Sequence, residues 1–451
     1  MSSITWKVVW NTASQLVGKV VGSGAMLLIS IMIAREFGAQ GYGDFTKITT
    51  FVAFFYLFVD FGLNAVYLKR QTADNKQQIA NSKGNADWAT LLGIRIVGGV
   101  LLMFLAIALL SFLPQGETQG YTGLVRLGII LFSPTILIQG LIVSANAIFQ
   151  KHLRYDLASL AIAAGNIVTV ILVAFALYGL SLRIGVLGVT TSLLVGLGVT
   201  GIVSLAFVRR LERFIHISFH QNTAKTLFFA ALPLGITLLF NQVYFRVDSL
   251  VLALTRSTTE VGLYGLAYKV FELPLVLPTF FMNSVYPLLL LQQAQNSKFK
   301  TQNFQATIKK SGAVLLLTSV IFSLAAWFTA PLLIYIRPEF SESISLLRIL
   351  TLGLPFFFLS SLMMWTLIAL GRQMALAVIY GSVMLVTVLL DILIIPIYGA
   401  TGAAWITVGS EALVLFISGA VLQRYLRYTQ NNPTNPRPIT PALPAGRQSD
   451  Q

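Results

Sequence analysis

The sequence predicts an all-α polytopic membrane protein that consists of two similar halves, each with six transmembrane helices. Three observations lead to this prediction: the composition, the spacing of the apolar runs, and an internal repeat. The chain is 56% hydrophobic and only 10% charged, whereas soluble domains carry about 25% charged residues. This composition excludes a water-soluble globular domain and the enzyme and binding-module classes that are built on one.

About twelve apolar runs, bounded by clusters of charged residues, are long enough to cross a bilayer as helices. The first run ends at Arg35 without a small-residue cleavage site, so we expect no cleavable signal peptide. An even number of spans predicts that both termini lie on the same side of the membrane. We place the spans near residues 11–34, 44–67, 89–113, 121–146, 157–180, 185–208, 226–252, 262–290, 311–335, 344–370, 375–396 and 401–424.

The basic residues of the loops predict the orientation. The loops on the side of the termini contain twenty Lys and Arg residues, and the loops on the opposite side contain four. Because cytoplasmic loops are enriched in Lys and Arg, both termini are predicted to be cytoplasmic. This enrichment also accounts for the net charge of +15, which in a soluble chain would suggest a nucleic-acid partner. We therefore expect no nucleic acid to bind.

The second half of the chain repeats the first. The pattern Tyr-Gly-x-x-x-Lys begins at Tyr42 and again at Tyr264, 222 residues later. Since six spans separate the copies, both insert with the same orientation, and such parallel repeats place a substrate site between them. Further matched pairs are Pro134 with Pro355 and Gly185 with Gly399. The expected division is a first lobe at 1–210, a cytoplasmic linker at 211–225, a second lobe at 226–428 and a disordered, Pro-rich tail at 429–451.

Polar side chains on one face of spans one and seven predict a lined cavity. Shifted by 222 residues, the polar face of span seven coincides with that of span one. We expect the two faces to line a shared central cavity, and the alternative is that they pack against neighbouring helices through hydrogen bonds. The candidate substrate-binding residues are Asn11, Gln15 and Lys19 on span one, and Asn241, Tyr244 and Asp248 on span seven.

Charged residues inside spans are costly in hydrocarbon and therefore mark transport paths. Lys19, about eight residues inside span one, is the best substrate-binding candidate, and the alternative is a stem that snorkels to the cytoplasm. Arg246 and Lys269 are further candidates. Arg246 lies nearly opposite Asp248 on span seven, so it contacts another helix or the cavity is wide enough for both. Snorkelling is the preferred interpretation for the basic residues nearer span ends, Lys269 included: Lys47, Arg95, Arg126, Lys269 and Arg348.

Four carboxylates inside spans are candidates for coupling transport to a proton or Na⁺ gradient: Asp60, Glu272, Asp391 and Glu411. Each could instead pair with a buried base, as Glu272 could with Lys269 three residues earlier. We expect no cofactor and no metal site, because the chain has no cysteine and no phosphate-binding loop, and its only helically spaced histidines lie in a basic loop.

Five motifs, taken in order, resemble the polysaccharide-transport family of Wzx-like O-antigen flippases, within the multidrug/oligosaccharidyl-lipid/polysaccharide exporter superfamily. They are REFGAQGYGDF, VDFGLNAV, ALPLGITLLFNQVYFRVDSLVLAL, VGLYGLAYKVFELP and IIPIYGATGAAWITVGSEA. The resemblance covers about residues 5–425. It implies two six-helix lobes in a V around a central cavity, and alternating access in the bacterial inner membrane.

The resemblance also implies the cargo, a polyprenyl-diphosphate-linked oligosaccharide that is flipped from the cytoplasmic to the outer leaflet for surface polysaccharide synthesis. Membrane lipids and the polysaccharide polymerase machinery are the implied partners. A cationic lumen is implied for the diphosphate, and Lys19 and Arg246 suit that role by charge and depth. The same resemblance implies that the protein is not an enzyme.

Three alternatives are weighed against this function. A cation-coupled multidrug exporter of the same superfamily would use acidic residues, but span one has no carboxylate and Lys19 is its one charge. Lipid II flippases carry two further helices. A membrane glycan polymerase or ligase would display Arg or His in a sizeable outer loop, and the predicted outer loops are short and contain no histidine.

Overall fold

The computed structural model describes residues 3–74, 80–116, 119–179, 185–212, 217–294 and 299–431. Within these ranges the chain is almost entirely helical, with one isolated β-bridge between Gln119 and Ser257. The α-helices are α1 (Ser3–Asp60), α2 (Leu63–Asp74), α3 (Ala80–Leu109), α4 (Gly123–Phe132), α5 (Thr135–Lys151), α6 (Tyr155–Ala174), α7 (Gly185–Glu212), α8 (Gln221–Thr255), α9 (Thr258–Glu272), α10 (Val276–Ala294), α11 (Phe299–Thr329), α12 (Ser341–Leu352), α13 (Leu354–Ala369) and α14 (Gln373–Asn431).

Ten helical stretches of the described chain are long and apolar enough to cross a membrane, so this is a multi-pass membrane protein. The stretches at the two ends of the chain, Gly18–Gln71 and Gln373–Tyr428, contain 54 and 56 residues, more than twice the roughly 20 that one crossing needs. Each bends near its middle at a glycine with a positive φ: Gly38 has φ 68° and Gly399 has φ 59°. The first stretch has a further break at Phe61 and Gly62, between α1 and α2. An L side chain is strained at a positive φ. Each stretch therefore supplies two crossings, which confirms the predicted number of about twelve.

The breaks in the helices follow the sequence repeat. The predicted fourth span is interrupted between α4 and α5, where Pro134 immediately precedes α5. The predicted tenth span is interrupted between α12 and α13, where Pro355 lies in the first turn of α13. Proline lacks the N–H that a continuing helix would use, so it begins a new helix at both places. These equivalent helix breaks agree with two halves that share one fold.

Helices of the same half form most of the packing. In the first half, α6 packs between α7 and the early part of α1, and α5 packs on α3 and α7. In the second half, α8 packs along α14, and α13 packs against α11 and α14. Between the halves, residues 217–220 run along α3, where the Ser218 N–H donates to the Ala89 carbonyl at 3.3 Å. The exact lobe boundaries stay a prediction.

The rings of Phe61 and Phe228 stack between the halves with centroids 5.7 Å apart. The more extensive contact between the halves is where α1, just after its break, packs against α9. A Cβ on Gly262 would collide with the Ala39 carbonyl oxygen, and a Cβ on Gly43 would collide with the Thr258 carbonyl oxygen. Glycine at these positions therefore lets the two backbones approach closely. We call this interface, residues 39–47 against residues 258–265, the outer contact. In each half the contacting segment follows an odd-numbered span, the first and the seventh. The outer contact therefore lies at the end of the molecule opposite the termini.

Polar bonds reinforce the outer contact. Lys47 Nζ donates to the Gly120 carbonyl at 2.7 Å and to Thr258 Oγ1 at 2.8 Å, and so joins the two halves. The Ala39 N–H donates across the halves to Glu339 Oε2 at 3.0 Å. Lys47 is 1% exposed. The interpretation of Lys47 as a snorkelling residue is therefore wrong, because its ammonium group is satisfied inside the protein.

Candidate functional site

A cavity lies between the two halves and consists of two adjoining chambers of about 650 and 680 Å³. Asp60, Val143 and Glu272 line both chambers, so the chambers meet at these residues. The first chamber ends at the outer contact. The second chamber extends toward the end that carries the termini and is lined there by residues such as Lys19 and Gln150.

The wall that the first half contributes carries an ion pair between a buried arginine and a carboxylate that faces the cavity. Asp60 Oδ1 lies 3.2 Å from Arg95 Nη2, and the Asp60 side chain is 48% exposed to the cavity whereas that of Arg95 is 1% exposed. The Arg95 guanidinium also donates to the Val59 carbonyl at 3.2 Å and to Ser144 Oγ at 3.3 Å. The snorkelling interpretation of Arg95 is wrong, because this arginine anchors Asp60 from behind. The sequence left two alternatives for Asp60, ion coupling or a pair with a buried base. The structure shows the pair, with Arg95.

The wall that the second half contributes carries three charges that we call the basic triad: Arg246, Lys269 and Glu272. Glu272 Oε1 lies 2.5 Å from Arg246 Nη2, and Glu272 Oε2 lies 3.7 Å from Lys269 Nζ. The Arg246 guanidinium lies over the rings of Phe245 and Tyr268, with its carbon 5.5 and 5.6 Å from the centroids. Such cation–π contacts fix the guanidinium plane. The triad has a net positive charge and faces the cavity.

The candidates on α1 lie on the second chamber. Lys19 and Gln15 line it, opposite Thr279 and Asn283 of α10. Lys19 forms no ion pair with any residue that the structure describes. It is therefore available to a ligand from the cavity. The Asn11 side chain lies outside the described part of the structure.

The structure divides the candidates on α8 between two faces. Asn241 and Arg246 line the first chamber together with Gln242. Tyr244 and Asp248 are buried inside the second half, so the prediction that they line the cavity is wrong. Both faces of α8 are polar, and the cavity lies on the Arg246 face, whereas the Asp248 face packs against α9 and α14.

Three buried carboxylates, which we call the acidic cluster, lie inside the second half: Asp248, Asp391 and Glu411. Asp248 accepts hydrogen bonds from Tyr264 Oη, from Thr407 Oγ1 at 3.0 Å and from the Ser249 N–H at 2.6 Å. Its carboxylate is therefore fully satisfied by neighbouring donors.

The other two carboxylates of the acidic cluster differ in their partners. Glu411 accepts from Tyr244 Oη at 2.7 Å and from Ser360 Oγ. Asp391 is completely buried, and neither of its carboxylate oxygens has a hydrogen-bond partner within the described chain. It lies close enough to Asp248 for the two charges to interact. An unpartnered buried carboxylate is costly, and a bound proton or cation would offset that cost.

In the described ranges, no group of three or more His, Asp or Glu side chains is arranged to hold a metal ion. The acidic cluster combines two interacting carboxylates with the hydroxyl of Thr407. Oxygen ligands of this kind suit a hard monovalent cation or a proton.

Comparison with known proteins identifies the family. The family model described as "Polysaccharide biosynthesis protein" matches residues 8–291. The chain belongs to this family. The resemblance inferred from the motifs is thereby confirmed. No curated protein matches this polysaccharide biosynthesis protein.

Solved structures show the same fold. The structure titled "Lipid II flippase MurJ, inward closed conformation" has a TM-score of 0.73 and 16% identity, over 92% of this chain and 87% of that chain. An inward-facing multidrug resistance MATE family transporter of the MOP superfamily has a TM-score of 0.71 and 12% identity, over 92% and 96%. An outward-facing one has a TM-score of 0.64 and 14% identity, over 94% and 96%. The predicted fold class of two six-helix lobes is therefore confirmed.

Proposed function

We propose that this polysaccharide biosynthesis protein is an alternating-access flippase for a polyprenyl-diphosphate-linked oligosaccharide repeat unit. It moves this lipid from the cytoplasmic to the outer leaflet of the bacterial inner membrane, where the repeat unit enters surface polysaccharide synthesis. The observation that carries the proposal is the basic triad in a cavity that both halves line. A diphosphate crossing hydrocarbon needs compensating cations in a wet cavity, and Arg and Lys are the residues that bind phosphate groups in proteins.

The outer contact supports alternating access. In this state the halves are joined at the end opposite the termini, and the cavity extends toward the end that carries them. With the termini in the cytoplasm, as the distribution of basic residues predicts, the cavity receives cargo from the inside.

The charges of the cavity favour an anionic lipid over the cationic drug of a multidrug exporter. Lys19, Arg246 and Lys269 line the chambers against two carboxylates, Asp60 and Glu272. Both carboxylates already have a basic partner. A cationic cargo would have to displace an arginine to reach either one, whereas an anionic cargo meets the unpaired Lys19 first.

We further propose that the acidic cluster takes up H⁺ or Na⁺ and couples the gradient to transport. Replacing Asp391 by asparagine removes the unpartnered charge and the need for a cation, so the packed second half is kept. We expect transport by Asp391→Asn to lose its dependence on an imposed H⁺ or Na⁺ gradient. With the gradient present, we expect the transport rate to fall about tenfold, which corresponds to about 1.4 kcal/mol. The measurement is transport into vesicles with and without each gradient. An unchanged gradient dependence would exclude Asp391 from coupling.

The proposed function is tested on the lipids of cells that lack this protein. We expect a complete polyprenyl-diphosphate-linked repeat unit to accumulate on the cytoplasmic leaflet, because the lipid is made there and cannot cross unaided. Mass spectrometry of extracted lipids identifies the unit, and its accessibility to a membrane-impermeant glycosidase identifies the leaflet. Cells that make a surface glycan but accumulate no such lipid would contradict the proposal and favour an exporter of small molecules.

A further inference from the structure

The basic triad contains an anion of its own. Glu272 contacts both cations, with Oε1 2.5 Å from Arg246 Nη2 and Oε2 3.7 Å from Lys269 Nζ. Its two oxygens would therefore compete with an anionic ligand for these two cations. Glu272 also lines both chambers, so a cargo that moves along the cavity reaches this carboxylate in either chamber.

A flippase that releases its lipid must return empty. During the return the cavity closes around the cations, and unpaired buried charges are costly in a low-dielectric environment. Arg246 and Lys269 would be left without an anion once the cargo has gone. The triad therefore needs a negative charge that is present only when the cargo is not.

We propose that Glu272 is the internal counter-anion of the empty carrier: the diphosphate displaces it on binding, and it pairs again with Arg246 and Lys269 for the return step. This inference rests on the proposed function of the cavity. All three residues belong to the second half, on α8 and α9, so the pairing is independent of how far the halves are separated.

The surroundings favour Glu272 as the moving partner. Phe245 and Tyr268 hold the Arg246 guanidinium in place by their ring contacts. Glu272 is the last residue of α9, directly before the short 3-10 segment Leu273–Leu275. Asp60 does not suit the role, because it lies in the other half and is already bound to Arg95.

The test separates net flipping from exchange in vesicles that contain the purified full chain. A fluorescent undecaprenyl diphosphate is placed in the outer leaflet. Dithionite added outside quenches only the probe in that leaflet, so the fraction of fluorescence that dithionite no longer quenches measures the movement inward. Net flipping, with no such lipid in the inner leaflet, requires an empty return. Exchange, with unlabelled undecaprenyl diphosphate in the inner leaflet, lets the carrier return loaded.

For Glu272→Gln we expect the net rate to fall about tenfold below wild type, and the inner-leaflet lipid to restore it to within about twofold. Glu272→Asp keeps the charge and is expected to restore net flipping without inner lipid. Glu342→Gln, at an exposed position on α12, serves as the matched control and is expected to behave as wild type. The wild-type rate itself is expected to depend little on inner lipid.

Two results would overturn the inference while the proposed function stands: equal losses of net flipping and exchange in Glu272→Gln, or no loss of either, in vesicles where wild type moves the probe. A purely structural role would lower both rates together. If wild type moves no probe under either condition, the proposed function fails and the inference fails with it.

Discussion

Replacing Arg246 by glutamine is expected to lower the flipping rate by about two orders of magnitude, the equivalent of roughly 2–3 kcal/mol for a lost charged hydrogen bond in a site shielded from water. Among the residues that the structure describes, Arg246 is the one arginine that lines the cavity, and its guanidinium is fixed by two aromatic rings and by Glu272. Arg246→Lys keeps the charge but loses the planar donor geometry, so we expect an intermediate loss.

The rate is measured by the dithionite assay on purified variants, with membrane insertion checked by the yield of folded protein. Arg209→Gln is the matched control, because Arg209 is exposed in the last turn of α7, away from the cavity. Lys19→Ala is expected to have a smaller effect than Arg246→Gln, because Lys19 is exposed near the open end, where solvent screens its charge. If Arg246→Gln flipped the lipid at the wild-type rate, the basic triad would not be part of the cargo site.

A disulfide across the outer contact is expected to stop transport reversibly. The chain contains no cysteine, so a pair introduced as Thr46→Cys and Gly265→Cys has no competing thiol. A Cβ on Gly265 would lie 3.3 Å from the Thr46 Cβ, close to the range of roughly 3.5–4.5 Å found in disulfides. The substitution at Thr46 also removes the hydroxyl and methyl groups that the new Cβ would meet. Oxidation thus holds the two halves together at the outer end.

We expect the oxidised pair to move lipid no faster than empty vesicles, and a reductant to restore most of the rate. The measurement compares oxidised and reduced samples of the same preparation, so folding and insertion are controlled internally. Each single cysteine variant is the matched control and is expected to be insensitive to oxidation. Undiminished flipping by the fully cross-linked pair would show that the outer contact does not open during transport.

The sequence predicted the fold well because the bilayer sets the length of each span, and because the repeat gives the number of spans independently in each half. Pro134 and Pro355 mark equivalent helix breaks, and Gly185 and Gly399 both take positive φ, 34° and 59°, at the start of the last span of each half. These features depend on local backbone chemistry, which a sequence carries directly.

The site was harder to predict because it depends on which face of a helix meets which neighbour. Helix α8 has two polar faces, and nothing within its own sequence distinguishes the face of Asp248 from that of Arg246. For Glu272 the sequence left two alternatives, ion coupling or a pair with Lys269 along α9; in the structure its shorter contact is to Arg246 on α8. The packing of α8 against α9 decides which basic residue Glu272 contacts, and this packing cannot be inferred from the sequence of one helix.

The burial of Lys47 has the same origin. Its position in the Tyr-Gly-x-x-x-Lys repeat matches Lys269, but the first lysine lies in the outer contact and the second lies in the cavity. The contact between the halves joins α1 of one to α9 of the other and bonds Lys47, but not Lys269, to the opposite half. The repeat signalled that the motif was important in both copies, and only the packing of the halves shows that the two copies differ in role.

The most direct measurement of the central claim reconstitutes the purified chain in vesicles and follows two cargoes side by side. One is a fluorescent undecaprenyl diphosphate, scored by its leaflet, and the other is a fluorescent cationic drug, scored by its uptake under an imposed ion gradient. We expect the anionic lipid to change leaflet faster than in protein-free vesicles, Arg246→Gln to lower this rate by about two orders of magnitude, and drug uptake to stay at background. Uptake of the drug without movement of the lipid would contradict the proposed function.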